Sequence, residues 1–189
     1  MSIMHRDEIQ RRLSLPAYDK EAIHLHPLAV NALKDADTVD IRLGHFFVLP
    51  TMGRTGVFNA AETDPNEMTQ EVYVPGGESI VVAPHHAVLG VTLEYIKVPA
   101  DLCAQLLTRS SWARTFIVIA TAPWVHPNYR GCPTLEIANL SNTAIELRPG
   151  DRIGQIAFMK CEGNASLLSE RLEGTFMGAV RPEFPRFAR

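Results

Sequence analysis

A short polar turn in the middle of the chain combines residue types that hold an anion. Residues 109–114 read Arg-Ser-Ser-Trp-Ala-Arg. Ser110 or Ser111 suits the N-cap of a helix, and the free backbone N–H groups of a helix start bind phosphate well when an arginine lies beside them. The pattern indicates either a phosphate-binding turn or a plain capped turn whose arginines are solvated.

A carboxylate, Glu136, follows on a segment that alternates like a β-strand. Leu135 and Ile137 share one face of this segment, which leaves Glu136 on the other face with Thr134 and Ala138. A carboxylate in that position is either solvated or buried with a partner. Together with the serines and arginines of the turn, it has the chemistry needed to move protons on a bound phosphorylated substrate.

The composition is that of a soluble globular protein and excludes several function classes. The chain has 189 residues, 46% hydrophobic and 21% charged, with a net charge of −3. No global basic field attracts nucleic acid, and one domain over residues 1–189 can bury a sizeable core. Apolar runs such as 116–120 are too short to span a membrane, and residues 1–13 lack the apolar region of a signal peptide. We therefore expect a cytoplasmic protein with no membrane or nucleic-acid partner.

The elements that must position the polar groups are predicted to be mainly strands. Residues 5–13 have helical periodicity, and Pro16 ends that helix. Residues 38–48 alternate like a half-buried strand, whereas residues 50–69 are typical of a surface loop. Many short strands with regular turn signals predict a sandwich or barrel with a C-terminal arm at about residues 174–189. Further strands are predicted at residues 71–74, 79–82, 87–98, 134–139, 144–147 and 153–161.

Several motifs in order resemble the family of dCTP deaminases and trimeric dUTPases. RSSWAR, TAPWVHPNYRG and TLEIAN carry the resemblance most strongly. It extends to ADTVDIRLG near the N-terminus, AVLGVTLEYIKVPADL, RPG with IGQIAF, and GTFMGAVRPEFPRF near the C-terminus. The resemblance implies a mostly β subunit, a distorted β-barrel or jelly roll of the dUTPase-like type with short peripheral helices. It also implies a homotrimer whose sites lie at subunit boundaries.

The resemblance further implies hydrolytic deamination of dCTP to dUTP and ammonia, and it assigns a role to each matching residue. Glu136 matches the general acid/base, and Ser110 and Arg114 match the groups that orient Glu136 and the attacking water. Ala122 matches a residue whose backbone binds that water. In the family the Ser/Arg turn and the glutamate come from different chains. The implied substrate-binding residues are Arg109, Ser111, Arg130, Thr175, Phe176 and Met177, of which the first two match phosphate-binding positions.

Metal chemistry is expected to be limited to the substrate. Zinc deaminases use an H-x-E motif and a C-x-x-C motif, and neither occurs in this chain. The expected reaction is therefore independent of zinc, with Glu136 doing the proton transfer. Mg²⁺ is expected to accompany the triphosphate, because the few cations of the site cannot neutralise it. The three cysteines have no metal-binding spacing and read as buried thiols: Cys103, Cys132 and Cys161.

Two positions depart from the family pattern. His126 occupies a place where the family usually has an aspartate, which in dUTPases activates water, so its presence argues against dUTPase activity. Met177 stands where the arm usually carries a glutamine, and methionine donates no hydrogen bond. Thr175, Arg181 and Arg186 are candidates to compensate, or the arm packs on a neighbouring subunit.

These departures keep other functions open. One is a bifunctional deaminase–dUTPase or a dUTP pyrophosphohydrolase. Another is a catalytically degenerate relative that binds a nucleotide or only a partner protein. A third is a deaminase acting on a modified cytidine nucleotide or on one with fewer phosphates.

Overall fold

The structure is a computed structural model that describes residues 2–33, 37–51, 57–59, 64, 67–120, 122–162 and 176–184. Its helices are α1 (Arg6–Leu13) and α2 (Ser110–Ala113). Its strands are β1 (His24–His26), β2 (Val39–Arg42), β3 (Phe46–Pro50), β4 (Thr69–Tyr73), β5 (Ile80–Val82), β6 (Ala87–Val91), β7 (Tyr95–Lys97), β8 (Leu102–Thr108), β9 (Ile117–Ile119), β10 (Trp124–Val125), β11 (Arg130–Gly131), β12 (Thr134–Asn139), β13 (Ile145–Leu147) and β14 (Arg152–Lys160). Neither of these helices has the length and apolar character needed to cross a membrane.

The strands form sheets around one hydrophobic cluster. The largest has the order β4-β3-β6-β12-β9, and a second has the order β10-β8-β14-β2. Smaller sheets have the orders β1-β7-β11 and β13-β5. Within the described part of the chain the sheets stay separate and do not close into one continuous barrel. The prediction of a mostly β, distorted arrangement with short peripheral helices is confirmed.

The core is built from the strand faces that alternation predicted. Ile41 and Leu43 on one segment, and Leu135 and Ile137 on another, are all fully buried, and Phe47 joins them. Full burial of an aliphatic or aromatic side chain contributes about 1.5–3 kcal/mol to folding. The polar residues between them face outward or towards partners, as the period of two requires.

The predicted strand at residues 38–48 is in fact two strands, β2 and β3. The chain bends between them at Gly44, where a Cβ atom would lie 3.0 Å from the side chain and the carbonyl oxygen of Val91. Only glycine lets the chain pass β6 this closely, and the bend sends β2 and β3 into different sheets. The predicted loop at residues 50–69 is bounded by β3 and β4, and most of it lies outside the described residues.

Five strands were not predicted: β1, β8, β9, β10 and β11. Strand β8 shows no period of two in its sequence, because apolar residues occur on both of its faces, with Leu107 and Cys103 opposite to Leu106, and such a run cannot be told from other apolar segments by periodicity. The remaining four have two or three residues each. They are held in register by the strands with which they pair, which is a tertiary effect.

Candidate active site

The predicted turn is a short helix, α2, that follows directly on β8. Arg109 occupies the N-cap with extended backbone and makes no side-chain cap hydrogen bond, so the prediction that Ser110 or Ser111 caps the helix is wrong. Both serines lie in the first turn with exposed side chains. The amides of this first turn have no intrahelical acceptor, so Arg109, Ser110 and Ser111 place N–H, hydroxyl and guanidinium donors together at one end of β8.

One hydrogen bond and one backbone reversal position α2. The Trp112 indole Nε1–H donates to the carbonyl oxygen of Arg152 at 3.0 Å, which ties the helix to the start of β14. After the helix, Phe116 takes a left-handed backbone conformation with φ of 65°. This conformation is costly for a bulky residue, and it reverses the chain into β9. The turn is therefore held between two sheets.

Arg109 is paired with a carboxylate that the sequence reading did not assign to the site. Its Nη1 lies 3.0 Å from Oδ2 of Asp40 on β2. The same Oδ2 lies 3.5 Å from Nη1 of Arg152, whose Nη2 donates to the carbonyl oxygen of Val30 at 2.6 Å. Two guanidiniums thus share one carboxylate, which leaves a net charge of +1 beside α2. An anionic group at α2 meets both the amides and this excess positive charge.

Arg114 differs from Arg109 in having no partner. Its side chain is exposed, and no ion pair or side-chain hydrogen bond of Arg114 occurs among the described residues. Arginine has five N–H donors and stays charged. Its guanidinium is thus available to a carboxylate or a ligand from outside this subunit.

Glu136 lies on β12, between β6 and β9. It is opposite Leu89 of β6, and its half-buried side chain lies on the face that alternation predicted. Pairing with β9 begins one residue later, at Ile137 opposite Ile119. Three residues separate the end of α2 from the start of β9. The basic turn is therefore close in the chain to the strand that pairs with β12.

Ala122 is held close to this strand by hydrogen bonds on both sides of it. The Ala120 amide donates to the Glu136 carbonyl oxygen at 2.7 Å, and the Leu106 amide donates to the Pro123 carbonyl oxygen at 2.8 Å. The loop is thus anchored to β12 at one end and to β8 at the other. Ala122 is exposed between the two anchors, where its backbone groups can bind water.

Arg130 and the C-terminal arm meet at a different sheet. Arg130 lies on β11, and its carbonyl oxygen accepts from the Gly178 amide at 2.7 Å. The Cys132 amide donates to the Ala179 carbonyl oxygen, also at 2.7 Å. Ala179 is buried although the sequence reading gave the arm no role in the core. The described part of the arm therefore packs on its own subunit.

The remaining predicted residues have no role that the structure distinguishes. Phe176 is exposed and Met177 is half-buried, while Thr175 lies outside the described residues. Arg181 lies over the Phe46 ring at 4.5 Å from its centroid, a cation–π contact within its own subunit. His126 is exposed in the turn before Tyr129. The Tyr129 amide donates a hydrogen bond to the His126 carbonyl oxygen.

The described residues contain no group of three or more His, Cys, Asp or Glu side chains placed to hold a metal ion. Metal ligands of a resident cation would have to converge in this way. The described part of the chain therefore contains no such cluster of ligand side chains.

Two structural residues missed by the sequence reading, Asp40 and Arg152, complete the basic cluster. Asp40 lies between the buried Val39 and Ile41, so the alternation correctly placed it on the opposite face but said nothing of its partner. Its contact with Arg109 spans 69 positions in the chain, and no local pattern carries such a pairing. The register of β2 against β14 and of β14 against β8 brings these residues together.

Comparison with known proteins shows that most of this chain is similar to dCTP deaminases. A model of the family described as dCTP deaminase-like matches residues 3–161. A dCTP deaminase of Natronomonas pharaonis is 35% identical over 166 residues, covering 86% of this chain and 83% of the relative. A relative from Methanobrevibacter smithii, named dCTP deaminase, dUMP-forming, is 32% identical over 176 residues, covering 88% of this chain and 91% of the relative.

Among solved structures, the chain is similar to the 2′-deoxycytidine 5′-triphosphate deaminase of Agrobacterium tumefaciens. The TM-score is 0.62 at 20% identity, and the match covers 88% of this chain. It spans about half, 52%, of that deaminase. At this identity the likeness shows a shared fold.

Proposed function

The chain belongs to the dCTP deaminase-like family, and from this premise we propose that it deaminates dCTP hydrolytically to dUTP and ammonia. The observation that carries the proposal is that α2 presents exposed serines and the exposed Arg114 while β12 presents the half-buried Glu136, so two copies of the chain together offer both parts of the site. The turn supplies donors for the phosphates, and the strand supplies one half-buried carboxylate. Relatives named dCTP deaminase, 35% and 38% identical, support the substrate.

Glu136 is the general acid/base in this proposal. Its carboxylate takes a proton from water as the water oxygen bonds to C4 of cytosine, and that proton passes to N3. Glu136 then takes the proton of the new hydroxyl and gives it to the amino nitrogen. The C4–N4 bond breaks as the C4 carbonyl forms, so dCTP and water yield dUTP and ammonia. Such positioned proton transfer accelerates a reaction by about 10²–10⁴-fold.

Ser110 and Arg114 orient the carboxylate and the water, and they come from a neighbouring copy of the chain. The exposed side chain of Arg114, which has no partner among the residues that the structure describes, supports this arrangement. Phe116 and Leu140, which are 62% and 60% exposed, lie together beside α2, where the Leu140 amide donates to the Phe116 carbonyl oxygen. An exposed apolar pair next to unpaired donors fits a surface covered by another subunit. The proposed assembly is a homotrimer.

The triphosphate binds at α2, with Arg109 and Ser111 as the main contacts, and Mg²⁺ enters bound to the phosphates. Ala122 contributes backbone groups that hold the water. Arg130, Phe176, Met177 and Thr175 remain proposed substrate contacts from β11 and the arm. Because the chain has neither the H-x-E nor the C-x-x-C motif of zinc deaminases, the proposed proton transfer is assigned to Glu136 rather than to zinc hydroxide.

A second candidate is a bifunctional enzyme that also converts dUTP and water to dUMP and pyrophosphate. Relatives named dUMP-forming favour it, at 32% and 35% identity. His126, exposed in the turn where the family usually has an aspartate, weighs against it.

Separate assays of ammonia and pyrophosphate distinguish the candidates. The purified protein is incubated with magnesium and, in turn, dCTP, dCMP, CTP and dUTP. Ammonia from dCTP without pyrophosphate supports the deaminase, and both products support the bifunctional enzyme. Nucleotide binding by calorimetry without either product contradicts both and indicates a degenerate relative.

A further inference from the structure

Three basic side chains form one row across the sheet β1-β7-β11. Lys97 on β7 is paired in register with His24 on β1 and with Arg130 on β11. Residues directly opposite each other in antiparallel strands project from the same face, and neighbouring strands lie about 4.8 Å apart. The next row, Leu25 opposite Ile96, is buried in the core. The three basic side chains therefore share the outer face.

This row costs free energy as long as nothing neutralises it. Like charges directly opposite each other destabilise a sheet. Burial and then the nearby Arg130 lower the pKa of Lys97, and Asp19 opposes them only in part. Burial and then Lys97 lower the pKa of His24, while the backbone of Ala17 acts in the opposite direction. In both cases burial is the larger cause of the lowered pKa and the positive neighbour the smaller one.

The row also has hydrogen-bonding capacity that the subunit leaves unused. Nε2 of His24 is buried and has no hydrogen-bond partner among the residues the structure describes. Lys97 Nζ donates to the carbonyl oxygen of Ala17 at 3.0 Å, which uses one of its three N–H groups. Arg130 is exposed. Lys97 and Arg130 thus keep N–H groups without an acceptor in the described part of the chain, and beside them His24 has a buried Nε2 that also lacks one.

We propose that the row of His24, Lys97 and Arg130 binds an oxyanion of the phosphate class, on a different sheet from that of Glu136 and from that of the strand leading to α2. Such an anion accepts hydrogen bonds from Lys97, Arg130 and Nε2 of His24, and it offsets the repulsion between them. Glu136 belongs to the five-stranded sheet and Arg109 to the end of β8, so the row lies on a third element. Of the three residues of the row, only Arg130 is also a proposed substrate contact, so a substitution of Lys97 tests the row without altering the proposed active site.

The pH dependence follows from the direction of the pKa shifts. A base whose pKa is lowered on folding binds fewer protons in the folded than in the unfolded chain, so stability is lost as pH falls below its ordinary value, 6.5 for His24. A bound anion raises the pKa of His24 and restores that stability. The groups that face His24 and Lys97 are Arg130, Asp19 and the Ala17 carbonyl, with His26 and Tyr95 in the adjoining row. Anion binding is therefore tighter at lower pH.

The test is thermal unfolding of the full chain in inorganic phosphate and in sulfate, with chloride keeping the ionic strength constant. We expect the midpoint to rise by about 3 °C or more for each tenfold increase in phosphate above its dissociation constant. Sulfate keeps its charge near neutral pH, so its effect isolates the titration of the protein. We expect sulfate to act more strongly at roughly pH 6 than at roughly pH 8.

Lys97→Gln separates the site from general salt effects, which stabilise most proteins. It keeps a donor for Ala17 but removes the central charge. We expect this variant to be more stable than the wild type in chloride, because the like-charge contact is relieved, and to lose the specific response to phosphate. Lys160→Gln, at the exposed end of β14, is the matched control and keeps the response.

Two outcomes overturn the proposal. If Lys97→Gln lowers stability in chloride or keeps the full phosphate response, Lys97 is a structural residue. If Arg109→Ala abolishes the response, the anion binds at α2 instead. In the Arg109→Ala background, a stronger response to dCMP than to inorganic phosphate identifies a nucleotide phosphate as the ligand, and an equal response identifies free phosphate. Both of these results support anion binding by the row of His24, Lys97 and Arg130.

Discussion

Asp40 determines how two arginines are presented beside α2. Its Oδ2 lies 3.0 Å from Arg109 and 3.5 Å from Arg152, and its side chain is only 15% exposed. A carboxylate shared by two guanidiniums keeps their mutual repulsion low and limits the rotamers of both. The proposed phosphate-binding residue Arg109 is thus preorganised by an interaction within its own subunit.

The Asp40→Asn substitution should destabilise the fold, because Arg109 and Arg152 then repel each other. We expect the free energy of unfolding to fall by about 1–2 kcal/mol, because a partly buried carboxylate is removed from two cations that are themselves about a third exposed and partly screened. Urea unfolding at one protein concentration measures the change. Glu146→Gln is the control, since the Glu146–Arg148 pair is exposed on both sides and should contribute nothing measurable. Equal effects of the two variants would show that Asp40 does not organise the cluster.

At the scale of elements, the long alternating segments could be predicted from the sequence, and the short or doubly buried ones could not. Strand β12 and its Glu136 face follow from a period of two, and α1 follows from helical periodicity. Strand β8 has no period of two in its sequence because apolar residues occur on both of its faces. The site residues on α2 and β12 were found by their motifs. The partners of those residues depend on strand register, and single-sequence patterns do not carry it.

Helix α1 likewise combines a feature that the sequence predicts with one that it does not predict. Ile9 is fully buried as its periodicity requires, but Arg12 on the same helix is also buried, at 3% exposure. Its Nη1 and Nη2 donate to both carboxylate oxygens of Asp101 at 2.9 and 2.6 Å, and its Nε donates to Glu8 at 2.9 Å. This network attaches α1 to the start of β8, the strand that leads to α2.

Arg12→Ala should therefore detach α1. We expect a loss of about 3–5 kcal/mol of unfolding free energy, because the network loses its buried cation and leaves Asp101 unpaired. Arg11→Ala, at the adjacent position, is the matched control. It changes helix propensity by the same amount, but the guanidinium of Arg11 is exposed. Urea unfolding of both variants checks the prediction. A loss for Arg12→Ala no larger than for Arg11→Ala would mean that the helix is held by Ile9 alone.

At the scale of the whole molecule, the proposed site combines residues of two subunits. Arg114 is exposed without a partner in the described residues, and apolar residues beside α2 are left uncovered. A closed ring of three copies can join each Ser/Arg turn to the Glu136 of a neighbour through a repeated heterologous contact. Activity should then require the assembly.

Mixing two inactive variants tests this arrangement. Glu136→Gln and Arg114→Ala subunits, coexpressed in equal amounts, should regain about a quarter of the wild-type activity, since one in four interfaces of random trimers combines an intact Glu136 with an intact Arg114. Coexpression of Glu136→Gln with the double variant is the control and should regain none. An absence of recovery in a mixture that still forms trimers would place both groups in one subunit.

The most direct test of the central claim is ammonia release from dCTP by the Glu136→Gln variant. This substitution keeps the size of the side chain and removes its ability to accept and return a proton. We predict a rate about 10²–10⁴-fold below the wild type, with an unchanged thermal midpoint. Turnover at the wild-type rate by a Glu136→Gln protein, or its early melting with normal turnover while folded, would contradict the assignment of Glu136 as the general acid/base.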